Sequence, residues 1–159
     1  MIDYRELIRG LAASGVKFII VGGAAATAHG SSRFTDDLDL VYERKPENVR
    51  LLVETLKPHQ PYLRGAPAGL PFKWEDETIW RGLNFTLTTT LGSIDLLGEI
   101  TLGGSYDELL PHSIRLKVFG YECLCLGLER LIEVKRAAGR PKDLEAIIEL
   151  QIILEEQNR

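Results

Sequence analysis

In the run Asp37-Leu38-Asp39-Leu40-Val41, carboxylates alternate with aliphatic side chains. Residues i and i+2 of a strand share a face, about 7 Å apart. Asp37 and Asp39 therefore project together, while Leu38 and Leu40 point the other way, into a core. A carboxylate set beside an apolar core costs free energy unless it is paired, hydrogen-bonded or bound to a metal. The segment thus demands a sheet that buries one face of this strand and a cationic partner on the other. Asp36 falls on the opposite face or in the strand entry, where capping the turn is its simplest role.

A second apolar strand, Ser93-Ile94-Asp95-Leu96-Leu97, carries one more carboxylate. If the two strands are neighbours, about 5 Å apart, Asp37, Asp39 and Asp95 converge on one patch. Magnesium favours such hard oxygens, with water and substrate phosphates completing its octahedron. Two such ions can clamp the attacking and leaving oxygens of an in-line displacement. Upstream, Gly22-Gly23 ends a buried run and opens a helix. Backbone N–H groups without a Cβ in the way can approach an anion closely there, and a helix N-terminus favours negative charge. The spacing excludes the Gly-x-x-x-x-Gly-Lys and Gly-x-Gly-x-x-Gly phosphate loops.

Apolar spacing predicts a helix over 3–14, stopped by Gly15, then a buried strand over 16–21. A short helix over 24–29, a strand over 38–42 and a helix over 46–56 opened by Pro46 follow. Residues 57–74 lose periodicity and gather Pro58, Pro61, Pro67 and Pro71, the mark of an irregular loop, a lid or a substrate wall. Strands over 83–90 and 93–97 form one expected hairpin, and those over 114–118 and 121–124 another, with a short helix over 105–110 between them. Helices over 128–138 and 141–156, split by Gly139, close the chain. This order predicts an α/β (α+β) fold: a mixed sheet, helices mainly on one face, and a C-terminal helical hairpin. Residues 1–159 read as a single domain, long enough to bury a core.

The net charge of −4 argues against broad binding to nucleic acid, though a local basic patch is compatible with it. No apolar stretch is long enough to cross a bilayer, and the apolar run over 16–28 follows a polar amphipathic start, unlike a signal peptide. Cys123 and Cys125 share a strand face two residues apart, where a disulfide would be strained. They read as buried thiols of a cytoplasmic protein.

Val21-Gly22-Gly23, then Arg33-x-Thr35-x-Asp37-Leu38-Asp39, then Ile94-Asp95-Leu96-Leu97, resembles the nucleotidyltransferase superfamily with the polymerase-beta-like fold. The run from Leu131 to Leu144, with its Lys135-x-x-x-Gly139-Arg140-Pro141-Lys142-Asp143 core, is similar to the closing signature of small bacterial nucleotidyltransferases. These are related to the abortive-infection toxins and to stand-alone minimal nucleotidyltransferases. The resemblance spans about Val16 to Leu150. It implies transfer of a nucleoside monophosphate from an NTP to an acceptor hydroxyl, with release of pyrophosphate. Gly22 and Gly23 would hold the triphosphate, and Asp37 and Asp39 would bind Mg2+ or Mn2+. Asp95 would assist the metal and help deprotonate the acceptor, and Lys135 and Lys142 would approach phosphates. Where many relatives carry a further acid, this chain has Ala146.

Helical spacing supports Lys135 independently. Leu128, Leu131, Lys135 and Ala138 share one stripe, so this lysine must snorkel to an edge or meet an anion. Arg33 can touch phosphate or pair with Asp36. Asp143 fits the first turn of a helix as well as a site, and His29 fits the end of one. The acceptor stays open among three classes. RNA such as tRNA would be guided by Lys135, Arg136, Arg140 and Lys142. A small molecule would sit in a pocket around Trp74 and Trp80. The third class is a partner protein. The short chain leaves room for a homodimer or partner subunit to complete the acceptor wall. The alternative from another class is a non-catalytic nucleotide-binding subunit of a toxin–antitoxin-like assembly.

Overall fold

A computed structural model describes residues 3–32 and 37–159. Helix α1 (Tyr4–Ala13) leads to strand β1 (Phe18–Val21), which runs directly into α2 (Gly22–Ala28). Strand β2 (Asp37–Tyr42) and helix α3 (Pro46–Leu56) follow. A 3-10 turn at Lys57–His59, strand β3 (Tyr62–Leu63) and helix α4 (Asp76–Arg81) precede the hairpin of β4 (Phe85–Thr89) and β5 (Gly92–Leu97). A small ribbon of β6 (Glu99–Ile100) and β7 (Gly104–Ser105) leads into α5 (Tyr106–Leu109). The hairpin of β8 (Ser113–Val118) and β9 (Tyr121–Leu126) and the helices α6 (Leu128–Ala138) and α7 (Pro141–Gln157) complete the chain.

Seven of these strands form one mixed sheet, in the order β3-β4-β5-β2-β1-β9-β8. β2 lies beside β5 in parallel and beside β1 antiparallel, and β1 pairs with β9 in parallel. The hydrophobic pattern fixes this arrangement. Ile19, Ile20, Leu38, Leu40, Leu87, Ile94 and Leu96 lose all solvent contact. Each such aliphatic side chain contributes roughly 1.5–3 kcal/mol of burial. A one-residue slip of β2 would drive Asp37 and Asp39 into that core, so the register is strongly specified.

Local chemistry sets the helix ends. Asp3 caps α1 by accepting from the Glu6 amide at 3.1 Å. Ser105 and Glu108 form a capping box around α5. Gly139, at φ +66°, takes the left-handed conformation that ends α6 and turns the chain into α7. His29 ends α2, and its Nε2 meets the Leu126 carbonyl at 2.8 Å, a brace between α2 and β9.

The C-terminal hairpin and both strand hairpins lie where periodicity places them. Three features differ. α2 begins at Gly22 itself, two residues earlier than expected. The segment 57–74 is not wholly irregular: it contributes β3 to the sheet edge. α4 and the ribbon of β6 and β7 carry no periodic signal, because elements of six and two residues are too short to show one. Cys123 and Cys125 are buried free thiols, pushed up to about 11 and about 12 by burial, and they act as small apolar side chains.

Asn48 ties the sheet to α3. Its side chain accepts from the Lys17 amide at 2.7 Å and donates to the carbonyls of Lys17 at 3.0 Å and Glu43 at 2.9 Å. Asn48 is buried, so Asn48→Ala leaves those backbone groups without a partner. The expected outcome in chemical denaturation is a loss of about 2–3 kcal/mol. An unchanged midpoint would show that water replaces the amide there.

Candidate active site

The two central strands carry the acids. In the β2–β5 ladder, Asp39 stands directly opposite Asp95, and Asp37 opposite Ser93. On the other flank Asp39 pairs with Val21, the last residue of β1 before Gly22. The alternation seen in sequence holds: Leu38, Leu40, Ile94 and Leu96 are buried, while Asp37, Asp39 and Asp95 are only partly so. The three carboxylates therefore share one face of adjacent strands.

Gly22 is shaped by this neighbourhood. Its φ is +63°, and a Cβ added there would lie 2.4 Å from Oδ2 of Asp39. Both the backbone conformation and the close approach exclude a side chain. The turn from β1 into α2 thus wraps against the Asp39 carboxylate.

An open cleft of about 270 Å³ lies on this side of the molecule. Gly22, Gly23, Asp37 and Asp39 form one wall, and Lys135, Arg140 and Lys142 form the other. Six of the sequence-derived candidates, Gly22, Gly23, Asp37, Asp39, Lys135 and Lys142, thus meet in one place, although they come from β2, α2 and the α6–α7 hairpin. Asp95 does not line the cleft; it stands behind Asp39 on β5. Arg33 and Asp36 lie outside the described residues.

The basic wall has its own internal order. Arg140 donates to Asp143 through Nε at 2.6 Å and Nη2 at 3.1 Å, and the Arg140 amide also reaches Asp143 at 3.3 Å. Asp143 is buried and held below the usual carboxylate range by these bonds, with Lys135 adding to the effect. Asp143 therefore caps α7. On the same helix, Glu149 accepts from the Ser31 hydroxyl at 2.5 Å and from the Ser32 amide and hydroxyl at 3.2 and 2.8 Å.

The two tryptophans expected around a small-molecule pocket part company, and Trp80 alone lines a cleft, with Glu47, Arg50 and Asp76. Trp74 is buried, and its indole N–H donates to the Val53 carbonyl at 2.9 Å, so it belongs to the core. Trp80 stacks on the Arg44 guanidinium at 5.2 Å, beyond the end of β2 remote from Asp37.

Arg64 is the residue that sequence reasoning missed. Its Nη2 donates to Asp95 at 2.7 Å, and its Nη1 lies 3.8 Å from Asp37. It sits in the proline-rich segment just after β3, where no periodicity flagged it, and only the pairing of β3 with β4 brings it to the acids.

Electrostatically, Asp39 sits among like charges. Burial, then Asp95 and Asp37, push the Asp39 carboxyl up to about 7, against the opposing pull of Arg64. Oδ1 of Asp39 is buried with no hydrogen-bond partner among the described residues. An orphaned carboxylate oxygen beside two further carboxylates fits a divalent cation. No group of three or more His, Cys, Asp and Glu side chains is gathered into a ready cage among the described residues. A magnesium-type ion does not need one, since one or two carboxylates, water and phosphates suffice.

No protein-family profile matches the chain, and no curated protein sequence matches it. Solved structures do. A candidate nucleotidyltransferase (TM1012) from Thermotoga maritima aligns over 98% of this chain and 96% of its own, with a TM-score of 0.59 at 14% identity. The chain has the nucleotidyltransferase fold. ANT(2″)-Ia, in a structure with adenylyl-2″-tobramycin, aligns over 94% of this chain and 91% of its own, with a TM-score of 0.57 at 13% identity.

The Asp39 titration gives a sign that can be checked. Because its folded pKa is raised to about 7, the folded state holds a proton there that the unfolded chain releases at the ordinary carboxylate value of 3.8. This stabilising contribution is full below about pH 4 and is lost as pH rises through about 7. Asp39→Asn, neutral at every pH, should therefore raise Tm in metal-free buffer at about pH 8 and lose that advantage towards about pH 4. Melting curves across this range test it; an advantage independent of pH would show that Asp39 is ionised throughout.

Proposed function

We propose that this protein transfers a nucleoside monophosphate from an NTP to a hydroxyl of an acceptor. The observation that carries the reading is the in-register pairing of Asp39 with Asp95, next to Gly22 and across a cleft from Lys135 and Lys142. Few structural needs explain two carboxylates, backed by a third, facing several cations across a cleft; a polyanion bound with a divalent metal requires both.

In this reading Asp37 and Asp39 would hold Mg2+ or Mn2+, which the orphaned Oδ1 of Asp39 supports. Bound there, the cation would neutralise triphosphate charge and polarise the α-phosphate. Gly22 and Gly23 let the backbone approach the triphosphate without a Cβ in the way, and Lys135 and Lys142 meet its outer phosphates from the other wall. Asp95 takes the proton of the acceptor hydroxyl. The hydroxyl oxygen then bonds to the α-phosphorus as the bond from that phosphorus to the bridging oxygen breaks, and pyrophosphate leaves. The chain's contribution is positioning and charge complementarity, which dominate phosphoryl-transfer catalysis generally.

The acceptor is a hydroxyl-bearing molecule that enters from outside this cleft. The fold is shared with ANT(2″)-Ia, whose structure holds an adenylylated small molecule, so a small-molecule acceptor stands beside RNA and protein. Labelled NTPs, incubated with the protein, Mg2+ and whole-cell extract, should leave label on one class of molecule. Asp37→Asn and Asp39→Asn should each reduce that transfer by at least about a hundredfold while the fold survives. Full transfer by either variant would overturn the mechanism.

A further inference from the structure

Arg64 occupies a place that the transfer chemistry does not explain. Its Nη2 reaches Oδ1 of Asp95 at 2.7 Å and the Leu87 carbonyl at 2.8 Å, with the Ile94 carbonyl at 3.4 Å. Its Nη1 faces Oδ1 of Asp37 at 3.8 Å. Its backbone amide is itself fixed, donating to the Thr86 carbonyl at 3.0 Å. The side chain is only 27% exposed. A guanidinium does not deprotonate in a protein, so this charge is permanent. It is anchored to the backbone of β4 and β5 as well as to the carboxylates, so it does not behave as a loose surface counter-ion.

We propose that Arg64 is the positioning residue of the acidic centre: a resident monocation between Asp37 and Asp95 that makes metal loading depend on the nucleotide. The inference rests on the transfer reading above. Two consequences follow from the geometry. First, Oδ1 of Asp95 is committed to Arg64, which leaves Asp95 one oxygen fewer for a metal and suits it to accept a proton more than to ligate. Second, a divalent ion arriving alone meets carboxylates already partly neutralised, and it meets the repulsion of a fixed positive charge. A triphosphate brings its own negative charge and oxygen ligands, which offsets that repulsion. Metal and nucleotide then bind with positive coupling, and the coupling is reciprocal.

The test is Mn2+ binding followed by electron paramagnetic resonance, with and without a non-hydrolysable ATP analogue, for the wild type, Asp39→Asn, Arg64→Met and Arg64→Lys. Circular dichroism and melting curves on each protein establish that it is folded. For Arg64→Met, Mn2+ alone should bind about tenfold or more tightly than to the wild type, and the enhancement by nucleotide should shrink. Transfer at saturating metal should nevertheless fall in kcat, because Asp95 is no longer oriented. Arg64→Lys keeps the charge without the forked geometry; it should retain weak binding of free Mn2+ and still lose kcat. A merely structural role would weaken metal binding and activity together. If Arg64→Met binds free Mn2+ no more tightly than the wild type, the inference is overturned even while Asp39-dependent Mn2+ binding stands. If no Asp39-dependent Mn2+ binding occurs with nucleotide in the wild type, the transfer reading fails, and this inference fails with it.

Discussion

Like charges held side by side in a sheet repel, and here that repulsion is built in. The parallel pairing of β2 with β5 sets Asp39 against Asp95, with Asp37 one step along the same face. Nothing in the hydrophobic core requires this; the core requires only Leu38, Leu40, Ile94 and Leu96 on the opposite face. Because the pleat alternates strictly, the burial that fixes those four residues also holds the acids together. The strain of the acidic face is thus balanced by the apolar face of the same two strands. The surrounding parts answer the same charge: Gly22 leaves room for the Asp39 carboxylate, Arg64 partly neutralises it, and the α6–α7 hairpin brings cations across the cleft.

Strong periodicity made much of this legible in the sequence. The alternation over 37–41 and 93–97 placed the acids on common faces, while the adjacency of the two strands stayed a condition that the β2–β5 ladder meets. The stripe through Leu128, Leu131 and Lys135 marked the lysine that lines the cleft. The glycine pair was legible as a turn, but its reason was not. Only the structure shows that Asp39 lies where a Gly22 Cβ would be. The misses share a cause. Arg64 and Trp74 lie in an aperiodic, proline-rich stretch, where side-chain direction depends on tertiary contacts. Trp74 finds a core carbonyl, and Arg64 reaches the acids through a strand of two residues. Composition carries no information of that kind.

The termini of α7 show how one residue can serve packing and site together. Asp143 satisfies the first turn of its own helix and fixes Arg140 at the cleft wall. Asp143 offsets the charge of Arg140 while holding it in place, and Lys135 and Lys142 complete the basic wall. Of the two readings the sequence left open for Asp143, its hydrogen bonds show the helix cap.

Glu149 holds Ser31 and Ser32 across a sequence separation of more than a hundred residues. This latch gives the cleft a topological character. Its acidic wall belongs to the central sheet and its basic wall to a hairpin of helices, so the walls meet only when distant parts of the chain have docked. Such a site is a high-contact-order assembly that forms after local structure. A fluctuation that releases the hairpin would dismantle the basic wall and leave the acids in place. A polyanion bridging both walls would then act as a clasp, lowering the population of the open form by mass action and slowing amide exchange in α6 and α7 together.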